Sequence, residues 1–176
     1  MQLKIILNRA HKIKEFVYGK IEFGRWSGEE TLEVDIHPRR GSRPICSSCG
    51  RKGSGYDHQG ECRRFEFVPL WGMLVFLLYS MRRVDCPRRR VKMERVPWAE
   101  GKNELTTIYR WYLAGWDKRL SWSQAAESFR ISWHHVFGSV EMAVEWGRSR
   151  MELEGIHAIG IDELQCWLGH KYITVV

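Results

Sequence analysis

The spacing of apolar residues changes period twice along the chain. In the first part the pattern alternates. TLEVDIH sets Leu32, Val34 and Ile36 against Glu33, Asp35 and His37, the period of a half-buried strand. FVYGKIEF is its expected partner, with residues 24–30 as the turn, so that residues 1–37 read as β structure. RRFEFVP and MLVFLLYSMRRV are two further apolar strands that meet at LWG as a hairpin. From Glu104 the period becomes helical. Leu105, Ile108, Tyr109, Tyr112 and Trp116 mark one face of a first helix, and Ser121 or Ser123 is expected to cap a short second one, SQAAESF. Ser132 then caps a longer helix from Trp133 to about Arg148. HAIGIDEL and KYITVV return to β around a polar turn at Gly169. The expected class is α+β.

Several classes are excluded. The longest uninterrupted apolar run, at residues 73–79, has seven residues, far short of the roughly 20 that a membrane helix needs. MQLKIILNRAHK lacks a signal peptide's apolar core and small-residue cleavage site. With 44% hydrophobic and 28% charged residues, the composition is that of a folded chain. Nine tryptophans supply several large core anchors. The expectation is a soluble, cytoplasmic protein with no membrane partner.

The net charge of +7 is concentrated in one stretch. Residues 38–95 hold 14 Lys and Arg against 5 Asp and Glu, while the remainder holds 14 against 16. Such a block fits either a polyanionic partner, most often nucleic acid, or a solvated face.

PRRGSRPICSSCGRKGSG is rich in turn formers and reads as loop. Within it, Cys46 and Cys49 form a C-x-x-C followed by Gly50, the shape of a zinc knuckle. Five cysteines in a chain without export signals point to metal or free thiols before disulfides. Cys86-Pro87-Arg88-Arg89 lies at the far end of the expected hairpin and offers one more thiol, with Arg89 where a second should stand. Three thiolates do not close a tetrahedral structural site. His58, Cys62 or water are the alternatives for the fourth ligand, and a hairpin without metal is the reading against all of them. Cys166 reads as a core thiol.

In the helical stretch, Ala126, Ile131 and Val136 follow the spacing of a helix-turn-helix. A small Ala126 would let the helices cross closely, and Arg130 takes a turn position often held by Gly. Ser132, Trp133, His134 and His135 would then open the recognition helix, where side chains meet base edges. A plain three-helix bundle with Trp133 in its core is the competing reading. Asp162 and Glu163 lie in an apolar strand followed by a turn. A buried carboxylate there is expensive unless paired or bound to a metal such as Mg²⁺, which makes Asp162 a candidate ligand. A solvated pair of turn residues is the competing reading.

The order of these motifs resembles one bacterial family. A C-x-x-C knuckle is followed by YDH…RRFEFVPLWG, MRRVDCPR…VKMERVPWAEGK, LSWSQAAESFRISWHHVF, SVEMAVEWGR and AIGIDELQ…GHKYITVV. This is similar to the insertion-sequence transposases of the L-three group, from FVYGKIEF onward. The resemblance implies four segments: an N-terminal β segment (1–40), a zinc-ribbon-like domain (41–98), a helix-turn-helix DNA-binding domain (99–150) and the first hairpin of a ribonuclease-H-like DDE catalytic domain (151–176). It implies zinc on Cys46, Cys49 and Cys86, double-stranded DNA at the element's inverted repeats as partner, and magnesium for the intact family enzyme. It also implies association with another copy or with an intact transposase. The family's second knuckle reads C-P-x-C-G, whereas this chain has CPRRR, so Arg89 replaces a ligand and Arg90 a glycine. Asp162 resembles the first acid of the triad.

Two-metal strand cleavage and transfer needs carboxylates that hold two ions about 3.5–4 Å apart. Asp162 is one carboxylate, and the two further acids do not occur before Val176. This polypeptide is therefore expected to be a catalytically inert transposase fragment that retains DNA binding. The alternatives are a non-catalytic inhibitor of an intact transposase and a decayed gene product.

Overall fold

Two tight turns define the hairpins from which the main sheet grows. Ser27 and Gly28, at φ 51° and 86°, join β1 (Phe16–Trp26) to β2 (Glu29–Pro38). Trp71 and Gly72, at 52° and 80°, join β3 (Ser54–Leu70) to β4 (Met73–Cys86). Two successive residues of positive φ match the right-handed twist of the strands they connect. The second turn falls on the LWG expected from the sequence.

The computed structural model describes residues 3–152, 154, 162–167 and 171–175. They form two units, residues 1–143 and 144–176. In the first, the strands run in the order β1-β2-β4-β3, and β2 pairs with β4 in parallel, from Thr31 opposite Leu74 to Asp35 opposite Leu78. A short β5 (Arg90–Met93) folds back on the end of β4, with Cys86 opposite Arg90. Residues 1–40 and 41–98 thus contribute strands to one sheet.

Residues 3–10 correct the all-β reading of the N-terminus. Leu3–Ala10 is a helix, α1, with Leu7 buried. LKIILNRA does not alternate; its apolar Leu3 and Leu7 are four apart, on one helical face. Leu7 packs into the main core with Leu3 against it.

That core is aromatic at its centre. Trp98, 2% exposed, meets Phe16, Phe65 and Tyr79 edge-on at centroid distances of 4.9, 5.8 and 5.2 Å. Val34, Ile36, Val75 and Leu77 fill the space around it. Beside this core, Glu94 accepts hydrogen bonds from Arg82 Nε and from the Tyr79 hydroxyl, a buried network that fixes the chain after β5 against β4.

On the far edge, residue 66 links the sheet to the helices. The Glu66 amide donates to the Glu104 carbonyl at 2.7 Å and the Thr106 amide to the Glu66 carbonyl at 2.8 Å. Helices α2 (Thr107–Trp116), α3 (Trp122–Phe129) and α4 (Trp133–Arg148) follow. Ser121, not Ser123, caps α3, in a capping box with Gln124. Tyr109 and Leu113 form the buried face of α2 and, with Leu105 just before it, a cluster on which Phe129 and Ile131 pack. Ala125 and Val136 are fully buried, and Ala126 is half-buried.

In the second unit, β6 (Asp162–Trp167) pairs antiparallel with β7 (Lys171–Val175). HAIGI and the turn at Gly169 lie outside the described residues, as does the side chain of Cys166.

Candidate metal centre and nucleic-acid interface

Two turns bring three thiols together. In the first, the Cys46 amide donates to the Arg51 carbonyl at 2.8 Å and the Gly50 amide to the Cys46 carbonyl at 2.9 Å. Gly50 supplies the left-handed residue, φ 69°, that reverses the chain. This turn lies against residues 93–95, where Cys46 bridges Glu94 and the Arg95 amide donates to the Ile45 carbonyl. The second turn joins β4 to β5: the Arg89 amide donates to the Cys86 carbonyl at 3.1 Å and Arg90 is left-handed, φ 58°.

The ligand atoms of Cys46, Cys49 and Cys86 all lie within 4.8 Å of one another, and the Cys49 and Cys86 sulfurs are 3.5 Å apart. Cys46 and Cys86 are buried against Val84, and Cys49 is half-buried. No disulfide joins the described cysteines. The amides of Arg88 and Arg89 bond the Cys86 sulfur. The Arg88 bond is the larger influence holding that thiol below its ordinary range, against the effect of burial. At Cys49 the Arg51 amide also favours the thiolate, but hydrogen bonding to Cys86, burial and Cys46 together raise it. Amide donors aimed at sulfur are what a thiolate metal site requires. A zinc–sulfur bond of about 2.3 Å at tetrahedral angles sets sulfurs about 3.8 Å apart. The three thiols fit three corners of such a site.

The fourth corner is not filled by the residues the sequence offered. His58 pairs with Arg82 and Cys62 with Ser80 on the β3–β4 ladder, whereas Ser54 is the residue beside the knuckles, opposite Asp85. At about 3.3 Å per residue, His58 stands roughly 13 Å up the strand and Cys62 farther. Both are exposed. An opening of about 250 Å³ remains over the thiols, lined also by Arg51, Lys52 and Arg88.

A second cleft, of about 390 Å³, lies next to the first knuckle and is lined by Lys14, Arg43, Lys52, Arg82 and Arg95 with Glu15 and Glu94. Lys52 pairs with Glu15 and Arg82 with Glu94. The composition of residues 38–95 signalled this basic face, but the contribution of Lys14 and Lys52 to one cleft depends on the tertiary fold.

The helices present a different surface. Only three residues separate α3 from α4, and Arg130, φ 55°, reverses the chain there. The amides of His135 and Val136 bond the Ser132 carbonyl as α4 begins. Ser132, Trp133 and His134 are exposed and His135 half-buried. Trp133 is 50% exposed and stacks on His134 at 3.9 Å, so it is no core residue. Asp162 begins β6 opposite Val175; its side chain lies outside the described residues.

Among the described residues no helix is long and apolar enough to cross a membrane. Residues 42–88 match a family described as the zinc-finger of transposase IS204/IS1001/IS1096/IS1165. The chain is 31% identical over 145 residues to the transposase for insertion sequence element IS1557 of Mycobacterium tuberculosis, in strain CDC 1551 / Oshkosh and equally in strain ATCC 25618 / H37Rv. That alignment takes in 80% of this chain and 32% of the relative, so the chain spans about a third of the length of the curated proteins it matches. No solved structure matches it. The match of residues 42–88 encloses the first knuckle and all three clustered thiols, and ends at Arg88 within the second turn.

Proposed function

We propose that this relative of insertion-sequence transposases is a DNA-recognition module, which binds the duplex at the ends of a mobile element. The observation that carries this reading is the similarity to a transposase over 145 residues, four-fifths of the chain. In this reading α3, its three-residue turn and α4 are a helix-turn-helix, and α4 is the recognition helix. Ser132, Trp133, His134 and His135 meet the major groove. Trp133 and His134 supply a stacked ring pair for apolar and edge contacts, and His135 anchors the start of the helix.

Phosphate contacts fall to the basic face around the knuckles. Contacts to phosphate position a protein without reading sequence, and each one adds to the salt dependence of binding. Structural zinc on Cys46, Cys49 and Cys86 would fix this face by tying the first knuckle to the end of β4. Asp162, at the start of β6, is the first acid of a DDE triad on a ribonuclease-H-like sheet, and magnesium is the ion that such a triad holds. Strand cleavage and transfer of that kind need carboxylates that hold two ions; the role proposed for the residues described here is DNA binding.

The test is binding of the full chain to fluorescent duplexes of element ends and of random sequence across a salt series. Preference for the ends, a steep salt slope and loss of the preference in Trp133→Ala with His134→Ala and His135→Ala support the reading. Equal affinity for both duplexes, unchanged by the substitutions, refutes the recognition-helix assignment.

A further inference from the structure

The second knuckle retains the backbone of a ligand-bearing turn but not its second thiol. Both turns place a left-handed residue four positions after their first cysteine, Gly50 at φ 69° and Arg90 at φ 58°. One position earlier stands Cys49 in the first turn and the exposed Arg89 in the second. The amides of Arg88 and Arg89 still point at the Cys86 sulfur, and the Arg51 amide at that of Cys49. Among the described residues the site is thus built on three corners and open on the fourth.

We infer that the three thiolates hold a zinc-class divalent ion whose fourth position is exchangeable, and that a low-molecular-weight thiolate is the external ligand it takes. The inference rests on the reading of this cluster as a zinc site. Three thiolates around a dication leave one net negative charge. A further anionic ligand would be repelled in isolation, but Arg51 and Arg88 line the same opening and offset it, while Lys52 beside them is paired with Glu15. Thiolate sulfur is a soft donor well suited to zinc. The opening of about 250 Å³ exceeds the roughly 30 Å³ share of one water several-fold, so an organic thiol fits. His58 and Cys62 are too far along β3 to compete. Binding exchanges one ligand for another: the thiol loses its proton to solvent, its sulfur bonds the ion, and the bound water leaves. No electron is transferred.

Cobalt(II) is the probe, because its sulfur-to-metal absorption grows with the number of thiolates. The purified full chain, stripped and reloaded with cobalt, is expected to show a tetrahedral spectrum with three-thiolate intensity. Adding 2-mercaptoethanol should raise the charge-transfer band by about one third, the step from three thiolates to four. Arg89→Cys should reach the higher intensity with no added thiol and should not respond to it. A wild-type spectrum that ignores the thiol, or that already matches Arg89→Cys, overturns the open position while leaving the metal site standing. Absence of cobalt binding in wild type, with binding in Arg89→Cys, overturns the zinc reading itself. Cys46→Ser, which should abolish the wild-type spectrum, keeps adventitious cobalt from counting as support.

Discussion

Arg130 and Glu29 form an ion pair across 101 residues of sequence, joining the turn between α3 and α4 to the tip of the β1–β2 hairpin. The same arginine donates to the Gly72 carbonyl at the β3–β4 turn. Its backbone is left-handed, which a non-glycine residue adopts at a cost of about 1 kcal/mol. Both members of the pair are about half exposed, so water screens it to below about 1 kcal/mol. Arg130→Gly relieves the backbone and loses the pair, and should leave stability within about 1 kcal/mol of wild type. Glu29→Ala loses only the pair and should be slightly destabilising, with an effect that vanishes at high salt. Urea titrations at two salt concentrations check both.

Arg90 is strained without such compensation. It holds φ 58° where the equivalent residue of the first knuckle is Gly50. Arg90→Gly should stabilise the protein by about 1 kcal/mol if relief of the left-handed backbone outweighs the greater freedom of the unfolded chain. A lower thermal midpoint would show that the arginine side chain contributes more than its backbone costs.

Trp98 is the centre of the aromatic core, buried and in contact with three rings. Trp98→Ala should destabilise by about 3–5 kcal/mol through lost burial and the cavity left behind. Trp71, 82% exposed at the β3–β4 turn, serves as the control: Trp71→Asn should be neutral or stabilising, since Asn-Gly suits a two-residue turn of positive φ. Chemical unfolding of both variants measures the contrast.

Glu66 is pushed up to about 7, first by burial and then by the nearby Glu104 carboxylate. One of its carboxyl oxygens is buried with no hydrogen-bond partner. A carboxyl raised in the folded state binds its proton more tightly there than in the unfolded chain. Stability should therefore fall as pH rises from about 4.5 to about 7 and stay lower above that. Glu66→Gln should flatten this limb and gain about 1–2 kcal/mol at pH 8, after solvent screening is allowed for. Unfolding free energies at stepped pH, for wild type and variant, decide it.

Local pattern carried the strands and helices whose partners are near in sequence. The alternation of Leu32, Val34 and Ile36 marks β2, the LWG turn marks the β3–β4 hairpin, and Ser121 and Ser132 mark where α3 and α4 begin. The α1 helix was hidden because its one buried residue, Leu7, ends a run of three apolar residues that is too short to fix a period. The parallel pairing of β2 with β4 was hidden for a different reason: period-2 patterning says which face is buried but not which strand lies alongside. At the metal centre the identities of Cys46, Cys49 and Cys86 were legible from spacing. The exclusion of His58 and Cys62 was not, since it depends on the register of β3 against β4. Trp133 was open between core and surface until the packing of α4 on its neighbours was known.

The parallel pairing of β2 with β4 means that the stretch carrying the three thiols, residues 42–88, does not hold all of its own sheet partners. Cut out alone, β4 would present the edge from Leu74 to Leu78 with its backbone groups unpaired, and Val75 and Leu77 would lose their cover. An exposed apolar edge of that kind recruits other chains. Shortening the chain from its start should therefore keep β4 covered only as long as β2 remains.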